Sequence, residues 1–391
     1  MRRAVAVVTP VEMLRRLVAH DTVSAKSNLG LIEDVARYLA GHGVSSRVVH
    51  DQTGTKANLF ATIGPAIDGG VVLSGHTDVV PVDGQPWTSP PFVLTERDGR
   101  LYGRGTADMK GFIATVLALV PEFLERPPRV PVHLCLSFDE EVGCLGIPAL
   151  IRQLGKELPR PRMVIVGEPT GMKVVNAHKG INACLTIVTG KDGHSSLPHL
   201  GLNAISAAGE VLRVLDDLAA ELRVTPAMGG IDVDPPWTTL NVGRIEGGVA
   251  VNIIPRECRV AWEMRPVPGF DPLPVLDRFE DYLRGDLSPR LKARCDGAGA
   301  ENRILCAVPA LTPGAQSPAE TLGLALTGQN RSLAVAYASE AGLFQQAGIH
   351  AIVCGPGNIE QAHQPDEYVS LEQLESCARF LRRLIDWAGA R

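Results

Sequence analysis

Residues 69–80 read GGVVLSGHTDVV. Val71–Ser74 form a short apolar run without polar alternation, closed by glycines, and His76 and Asp78 follow at once. Such a run fits a strand covered on both faces rather than one with a wet side. The same design recurs along the chain. Val132–Ser137 is followed by Asp139, Glu140 and Glu141, Met163–Val166 by Glu168, and Ala351–Cys354 by Glu360 and His363. Leu59–Ile63 reads as a further buried strand. Between the strands, Val11–His20, Leu29–Gly41, Lys110–Val120, Ala319–Thr327 and Leu371–Trp387 carry the apolar spacing of helices. Strands alternating with helices predict an α/β domain whose sheet is flanked by helices.

From Gly180 the pattern changes. Gly180–Gly190 reads as a strand and Asn203–Leu222 as a long amphipathic helix with Ile205, Leu212, Leu215 and Leu222 on one side. Thr239–Ile245 and Glu257–Arg265 read as strands joined at the turn Gly247-Gly248. Leu273–Leu283 reads as a helix and Arg303–Val308 as a last strand. The order β-α-β-β-α-β is that of a ferredoxin-like unit. After Pro313 the α/β character returns. The expected organisation is an α/β domain over 1–180 and 313–391, interrupted by an inserted, smaller α+β domain over 181–312.

The 38 basic and 43 acidic residues leave a net charge of −5, which argues against nucleic acid as a partner, since that needs clustered positive charge. No apolar run approaches the ~20 residues of a membrane-spanning helix; Phe112–Val120 is closed by Pro121. Arg2 and Arg3 precede an apolar stretch, Ala4–Val8, that is too short for a signal-peptide core. The eight cysteines are scattered, with no Cys-x-x-Cys pair, and read as buried thiols of a reducing, cytoplasmic compartment.

In an open α/β sheet, ligands bind beyond the carboxyl ends of the strands, where the imidazoles and carboxylates named above gather. Asp108, in a glycine-rich loop before the helix at Lys110, joins them. Each signal alone has an ordinary explanation: an incidental His-x-Asp pair, a solvated acidic loop, a helix N-cap. Together they carry too much negative charge to converge without cations. Two imidazoles with three or more carboxylates and no thiolate suit a pair of divalent ions, zinc first, with cobalt or manganese as substitutes. Such a pair needs one bridging carboxylate, and an unligated carboxylate can then act as base.

In order along the chain, GHTDVVP (75–81), LYGRGTADMKG (101–111), SFDEEVGCLG (137–146), VGEPT (166–170), GHSSLPHLGLNAI (193–205), VNIIPRE (251–257) and GPGNIEQAHQPDEY (355–368) resemble the dinuclear zinc amidohydrolases. That family holds acetylornithine deacetylase, succinyl-diaminopimelate desuccinylase, aminoacylase and carboxypeptidase G. The longer stretches 75–87, 166–181 and 354–368 look most like its acetylornithine deacetylases. The resemblance implies a zinc-peptidase-like catalytic domain with a mixed sheet and a ferredoxin-like lid that dimerises. His76 and Glu168 would hold one metal, Glu141 and His363 the other, and Asp108 would bridge them, the peptide bond after it often being cis. Asp78 would hydrogen-bond the His76 imidazole, and Glu140 would be the general base. On the lid, His194 would reach across a homodimer to the scissile carbonyl, while Asn252 and Arg265 would hold the carboxylate of an N-acyl amino acid.

The reaction so implied removes the acetyl group from N2-acetyl-L-ornithine, a step of arginine biosynthesis. The cationic side chain of that substrate needs an acidic or carbonyl partner, for which Glu340 is the candidate; a helix cap is its other reading. Other acyl-amino-acid, succinyl or dipeptide substrates remain alternatives on the same chemistry. A dinucleotide-binding reading fails, because Gly103-x-Gly105 and Gly355-x-Gly357 do not complete Gly-x-Gly-x-x-Gly. A catalytically silent scaffold would have lost a ligand or Glu140, and none is missing.

Overall fold

The computed structural model describes residues 8–224 and 231–390; Arg2, Arg3 and residues 4–7 of the apolar run Ala4–Val8 lie outside the described residues. Two compact units result. One comprises Met1–Ala177, Pro313–Ala334 and Ser339–Arg391, the other His178–Thr312 with Val335–Ala338.

The first unit is built on an eight-stranded mixed sheet. Its order is Ser46–His50, Ala57–Ile63, Val132–Ser137, Val71–His76, Met163–Pro169, His350–Gly355, Val175–His178 and Leu333–Val335. The four central strands, Val132–Ser137 to His350–Gly355, run parallel. Ser46–His50 and Ala57–Ile63 are antiparallel additions on one side. Every residue of Val71–His76, Val132–Ser137 and Met163–Pro169 is buried, in keeping with strands covered on both faces. Helices supply the cover. Pro10–Val18 opens with a capping box: the Glu12 N–H donates to Thr9 Oγ1 at 3.2 Å, and the Thr9 N–H donates to Glu12 Oε2 at 2.8 Å. Leu371–Ala390 buries Leu374, Cys377, Ala378, Leu381, Leu384, Ile385 and Ala388 along one stripe. Each large apolar side chain there contributes about 1.5–3 kcal/mol, so truncating Leu381 to alanine costs more than losing any exposed ion pair on that helix.

The single helix expected over Lys110–Val120 is two. Gly111–Ala118 ends first, and Val120–Glu125 then begins with Pro121 in its first turn. Proline has no N–H to miss there, so it opens a helix rather than stopping the chain. Lys110 belongs instead to the irregular turn Thr106–Lys110, in which Asp108 and Met109 leave helical dihedrals and are joined by a cis peptide bond.

The second unit has a four-stranded antiparallel sheet in the order Thr239–Gly247, Glu257–Arg265, Ile181–Thr189, Gly299–Val308. With the strands numbered along the chain this is 2-3-1-4, the ferredoxin-like order. Glu257–Arg265 alternates between buried and more open positions, so one face of this sheet carries its core. Helix Ala204–Arg223 covers that face. Its buried stripe is Ala204, Ala207, Ala208, Val211, Leu215, Leu218 and Leu222. Leu215 and Leu222 lie where the sequence puts them, but Ile205 is 41 % exposed; the small alanines, invisible to a search for bulky residues, set the contact face. Gly247 and Gly248 do not form a tight hairpin either. The connection to Glu257 carries a short strand, Ile253–Ile254, which pairs with Gly193–His194.

Candidate metal centre

His76 is the last residue of its strand and is buried. Its Nδ1 lies 2.9 Å from the main-chain oxygen of Asp78, an acceptor only, so Nδ1 carries a proton and Nε2 is the nitrogen left to meet a proton or a cation. Nε2 faces Asp108 Oδ1 at 2.9 Å and Glu168 Oε1 at 3.8 Å. Glu168 comes from the neighbouring parallel strand. Gly167, just before it, tolerates no side chain: a Cβ would stand 2.1 Å from the Phe112 ring. Asp108 turns its other oxygen, Oδ2, to His363 Nε2 at 3.4 Å, and His363 lies 3.0 Å from Glu141 Oε2. Two triads result, His76–Asp108–Glu168 and Asp108–Glu141–His363, each with its ligand atoms within 4.8 Å of one another. Asp108 belongs to both.

The chemistry of these donors fits divalent cations. Glu168 Oε1 is buried with no hydrogen-bond partner, and a buried acceptor is expected to have one. Burial pushes Glu168 and Glu141 up, and the Asp108 charge adds to this. Burial works against protonated His76, yet Glu168 and Asp108 outweigh it and raise that imidazole. Hydrogen bonds to Asp108 and Glu141 push His363 up to about 10. Each group is thus displaced in the direction that gathers positive charge, the need a pair of metal ions meets.

Asp78 does something other than what the resemblance implies. Its carboxylate oxygen is 3.7 Å from His76 Nδ1; the imidazole is held by the Asp78 main chain instead. The carboxylate accepts the N–H of Glu140 at 3.1 Å, the N–H of Glu141 at 3.3 Å and the Ser24 hydroxyl at 2.7 Å. It therefore positions the loop that carries Glu140 and Glu141. Glu140 has Cys144 Sγ 3.4 Å from its Oε1. Burial raises Glu140 well above the usual carboxylate range; His76 draws it down, and Glu168, Glu141 and Asp108 reinforce the rise. Asp139 leaves the cluster to pair with Lys56, and Glu360 stays exposed outside both triads.

Glu340 is 1 % exposed. One of its oxygens accepts the Ser74 hydroxyl at 3.1 Å and the other accepts that of Ser137. A carboxylate enclosed and occupied in this way does not present itself to a substrate cation, and its side chain makes no helix-capping bond. Glu340 does stand at the N-cap of Ala341–Gln346, as its second sequence reading has it, but serves there through its main-chain oxygen, which accepts the Leu343 N–H at 3.0 Å; its carboxylate links the strands that end at His76 and at Ser137. Two further residues escaped sequence reading, Arg104 and Glu367. They form a buried ion pair of 2.8 Å across 263 positions, and no local signal marks a partner so distant.

Within the second unit, the pairing of His194 with Ile253 brings His194 beside Asn252, whose oxygen accepts the Ser195 N–H at 3.1 Å. His194 Nδ1 accepts from the Ser196 N–H at 3.2 Å and lies 2.6 Å from its hydroxyl, which leaves the ring proton on Nε2. Arg265, at the end of its strand, is gripped by Glu263 through Nε at 2.8 Å and Nη2 at 3.1 Å.

Against known proteins, the model of peptidase family M20/M25/M40 matches residues 72–387. An acetylornithine deacetylase of Proteus mirabilis is 35% identical over 388 residues, covering 97% of this chain and 96% of its own. One of Myxococcus xanthus is 37% identical over 383 residues, covering 95% of each. Among solved structures, the M20 family metallo-carboxypeptidase Sso-CP2 of Sulfolobus solfataricus superposes with a TM-score of 0.76 at 19% identity, covering 98% of this chain and 99% of its own. A dinuclear metal binding peptidase of the M20 family from Bacillus subtilis gives a TM-score of 0.63 at 16% identity over 96% of each chain. Both share the fold.

Proposed function

Because the chain belongs to peptidase family M20/M25/M40, we propose that it hydrolyses the amide of N2-acetyl-L-ornithine, releasing L-ornithine and acetate. The observation that carries this reading is near-full-length similarity to acetylornithine deacetylases in a chain whose Asp108 is shared by two ligand triads. The enzyme is a metal-dependent hydrolase of linear amides. Arginine biosynthesis in the cytoplasm is the setting this reaction implies.

His76 and Glu168 would hold one ion, Glu141 and His363 the other, and Asp108 both. Zinc suits these nitrogen and oxygen donors best, with cobalt or manganese as substitutes. When bound, such a pair polarises the amide carbonyl and makes water more acidic. The protein's own part is proton transfer and placement. A carboxylate at Glu140 takes a proton from the attacking water on one oxygen and gives it to the leaving amine. Asp78 holds Glu140 in place through its backbone N–H. His194, with its proton on Nε2, is a donor suited to the oxygen of the acetyl carbonyl as negative charge develops there. Asn252 and Arg265 are the proposed partners of the substrate carboxylate, Arg265 exchanging Glu263 for it in a paired hydrogen bond. In the proposed homodimer, formed through the second unit, each copy lends its His194 to the other.

A panel of N2-acetyl-L-ornithine, N-acetyl-L-methionine, N-succinyl-diaminopimelate and a dipeptide tests the reading. The protein is purified without chelator, stripped, and reloaded with zinc or cobalt. Acetylornithine should be the best substrate, with activity lost on stripping and regained on loading. Preference for the succinyl compound or the dipeptide overturns the substrate; full activity after stripping overturns the mechanism.

A further inference from the structure

A buried network links the loop that carries Asp108 to the segment that carries His363. Its centre is Glu367, 1 % exposed. Oε1 of Glu367 accepts the N–H of Ala107 at 2.8 Å and of Asp108 at 3.0 Å. Oε2 accepts the N–H of Gly105 at 3.0 Å and Nη1 of Arg104 at 2.8 Å. A carboxylate offers about four lone-pair sites, so this one is filled. Three of its four donors are backbone N–H groups of a single turn, and one of them is the N–H of Asp108 itself. The main chain of Glu367 joins the same loop: its oxygen accepts the Gly103 N–H at 2.9 Å, and Tyr368 pairs with Tyr102 in a short sheet.

Arg104 carries the connection onward. Nη1 also reaches the oxygen of Gln364 at 3.2 Å, and Nη2 reaches Gln85 Oε1 at 2.5 Å. The guanidinium lies over the Trp87 ring, 5.0 Å from its centroid. Gln85 Nε2 then donates to the main-chain oxygen of His363 at 3.0 Å. His363 has φ +62, a left-handed conformation that a histidine keeps only when its surroundings hold it there. Gln85 and Arg104 hold its carbonyl and that of its neighbour. An unbroken chain of contacts thus runs from the Asp108 N–H through Glu367, Arg104 and Gln85 to His363.

We propose that Glu367 is a positioning residue of the metal centre, which with Arg104 and Gln85 sets the places of Asp108 and His363 and so controls the Asp108–Glu141–His363 site more than the His76–Asp108–Glu168 site. The asymmetry follows from what the network touches. It holds two of the three ligands of the former site and one of the latter; His76 and Glu168 are fixed by their own strands. Stability alone is a poor account of the pair, because a buried ion pair is often no more stable than an apolar replacement. Its three backbone contacts to one turn give it a directional role instead. The proposal rests on reading the two triads as metal sites, and the test keeps the two ideas apart.

Cobalt(II) is titrated by calorimetry into the stripped full-length protein, with the visible spectrum of the bound ion as a second readout. The wild type should take up two ions. Glu367→Gln keeps the shape, but its amide nitrogen must face a backbone N–H or Arg104, donor against donor. It should keep one tight ion and bind the other roughly 10- to 100-fold more weakly, the usual effect of losing a residue that supports a ligand. Gln85→Ala, which leaves Glu367 in place, should weaken the same ion alone and covers the case in which Glu367→Gln does not fold. Two ions bound with wild-type affinity in both variants, or an equal loss at both sites, overturns the proposal. A wild type that binds no cobalt overturns the metal reading beneath it.

Discussion

Replacing Asp78 by asparagine separates two accounts of the same carboxylate. If it acted on the His76 imidazole, the change would loosen the ion held by His76. The structure assigns that hydrogen bond to the Asp78 main-chain oxygen at 2.9 Å, which asparagine retains. What the substitution alters is the support of Glu140 and Glu141. Three donors meet the carboxylate: Glu140 N at 3.1 Å, Glu141 N at 3.3 Å and Ser24 Oγ at 2.7 Å. Asparagine leaves one oxygen to accept and sets an NH2 opposite the rest. Ser24 can rotate its hydroxyl to accept from that group, but a backbone N–H cannot. One partly buried N–H is therefore stranded, at a cost of up to about 1–3 kcal/mol. If all of it falls on the placement of Glu140 at the transition state, kcat drops roughly 5- to 150-fold. Steady-state hydrolysis of acetylornithine under saturating metal gives kcat, and elemental analysis gives the metal content. Lower kcat with unchanged metal content is the expected pair of results. Loss of the ion at His76, Asp108 and Glu168, with the one at Glu141 and His363 kept, would refute this account and return the carboxylate to the imidazole.

Two further outcomes are expected. Glu140→Gln should lower kcat by ~10²- to 10⁴-fold, the range of a general base, while metal content holds; a loss of only ~3-fold would place the base elsewhere. Burial holds the His133 imidazole down at about 4, below its ordinary 6.5, with Nε2 facing the Gly69 oxygen at 3.2 Å and Nδ1 the Thr62 hydroxyl at 2.9 Å. The unfolded chain thus binds a proton in this window that the fold refuses. Its contribution to stability is complete above pH 6.5 and is lost as pH falls towards 4, by about 3 kcal/mol in all. In urea titrations of the stripped protein, His133→Gln should lose stability less steeply over that range; parallel pH profiles for the two proteins would dismiss His133 as a contributor.

Much of the fold was legible because burial on both faces leaves a strong mark. Val132–Ser137 and Glu257–Arg265 have the same limits in the structure as in the sequence reading. One is mainly apolar, with His133 as a buried exception, and the other alternates. Ser46–His50 and the small sheet of Thr95–Arg97, Arg100–Tyr102 and Tyr368–Ser370 were missed. They are short or lie at a sheet edge, where half-open residues give no period. At the site, residue types at the strand ends pointed to where ligands gather, because parallel strands deliver their carboxyl ends to one place. What sequence could not convey was which atom does the work. Asp78 supports His76 by its main chain and Glu140 by its side chain, and both arrangements have the same spelling. Glu340 falls at the helix cap that was its second reading, but the acidic letter does not disclose that two serines enclose its carboxylate. The Glu367–Arg104 pair was invisible for the converse reason, since its members are brought together only by the finished fold.

The central strand Met163–Pro169 has Val71–His76 on one side and His350–Gly355 on the other. The first neighbour leaves the ribosome before it, and the second 181 residues after Pro169. At the usual ~5–20 residues per second, the strand waits roughly 10–40 s with one edge unpaired while the second unit is made. During that interval Met163, Val164, Ile165 and Val166 are the exposed rim of an unfinished sheet, a template for any other extended chain. His363 arrives later still, so the nascent protein carries four of the five proposed ligand residues without the last. Slower translation through residues 170–349 lengthens that exposure.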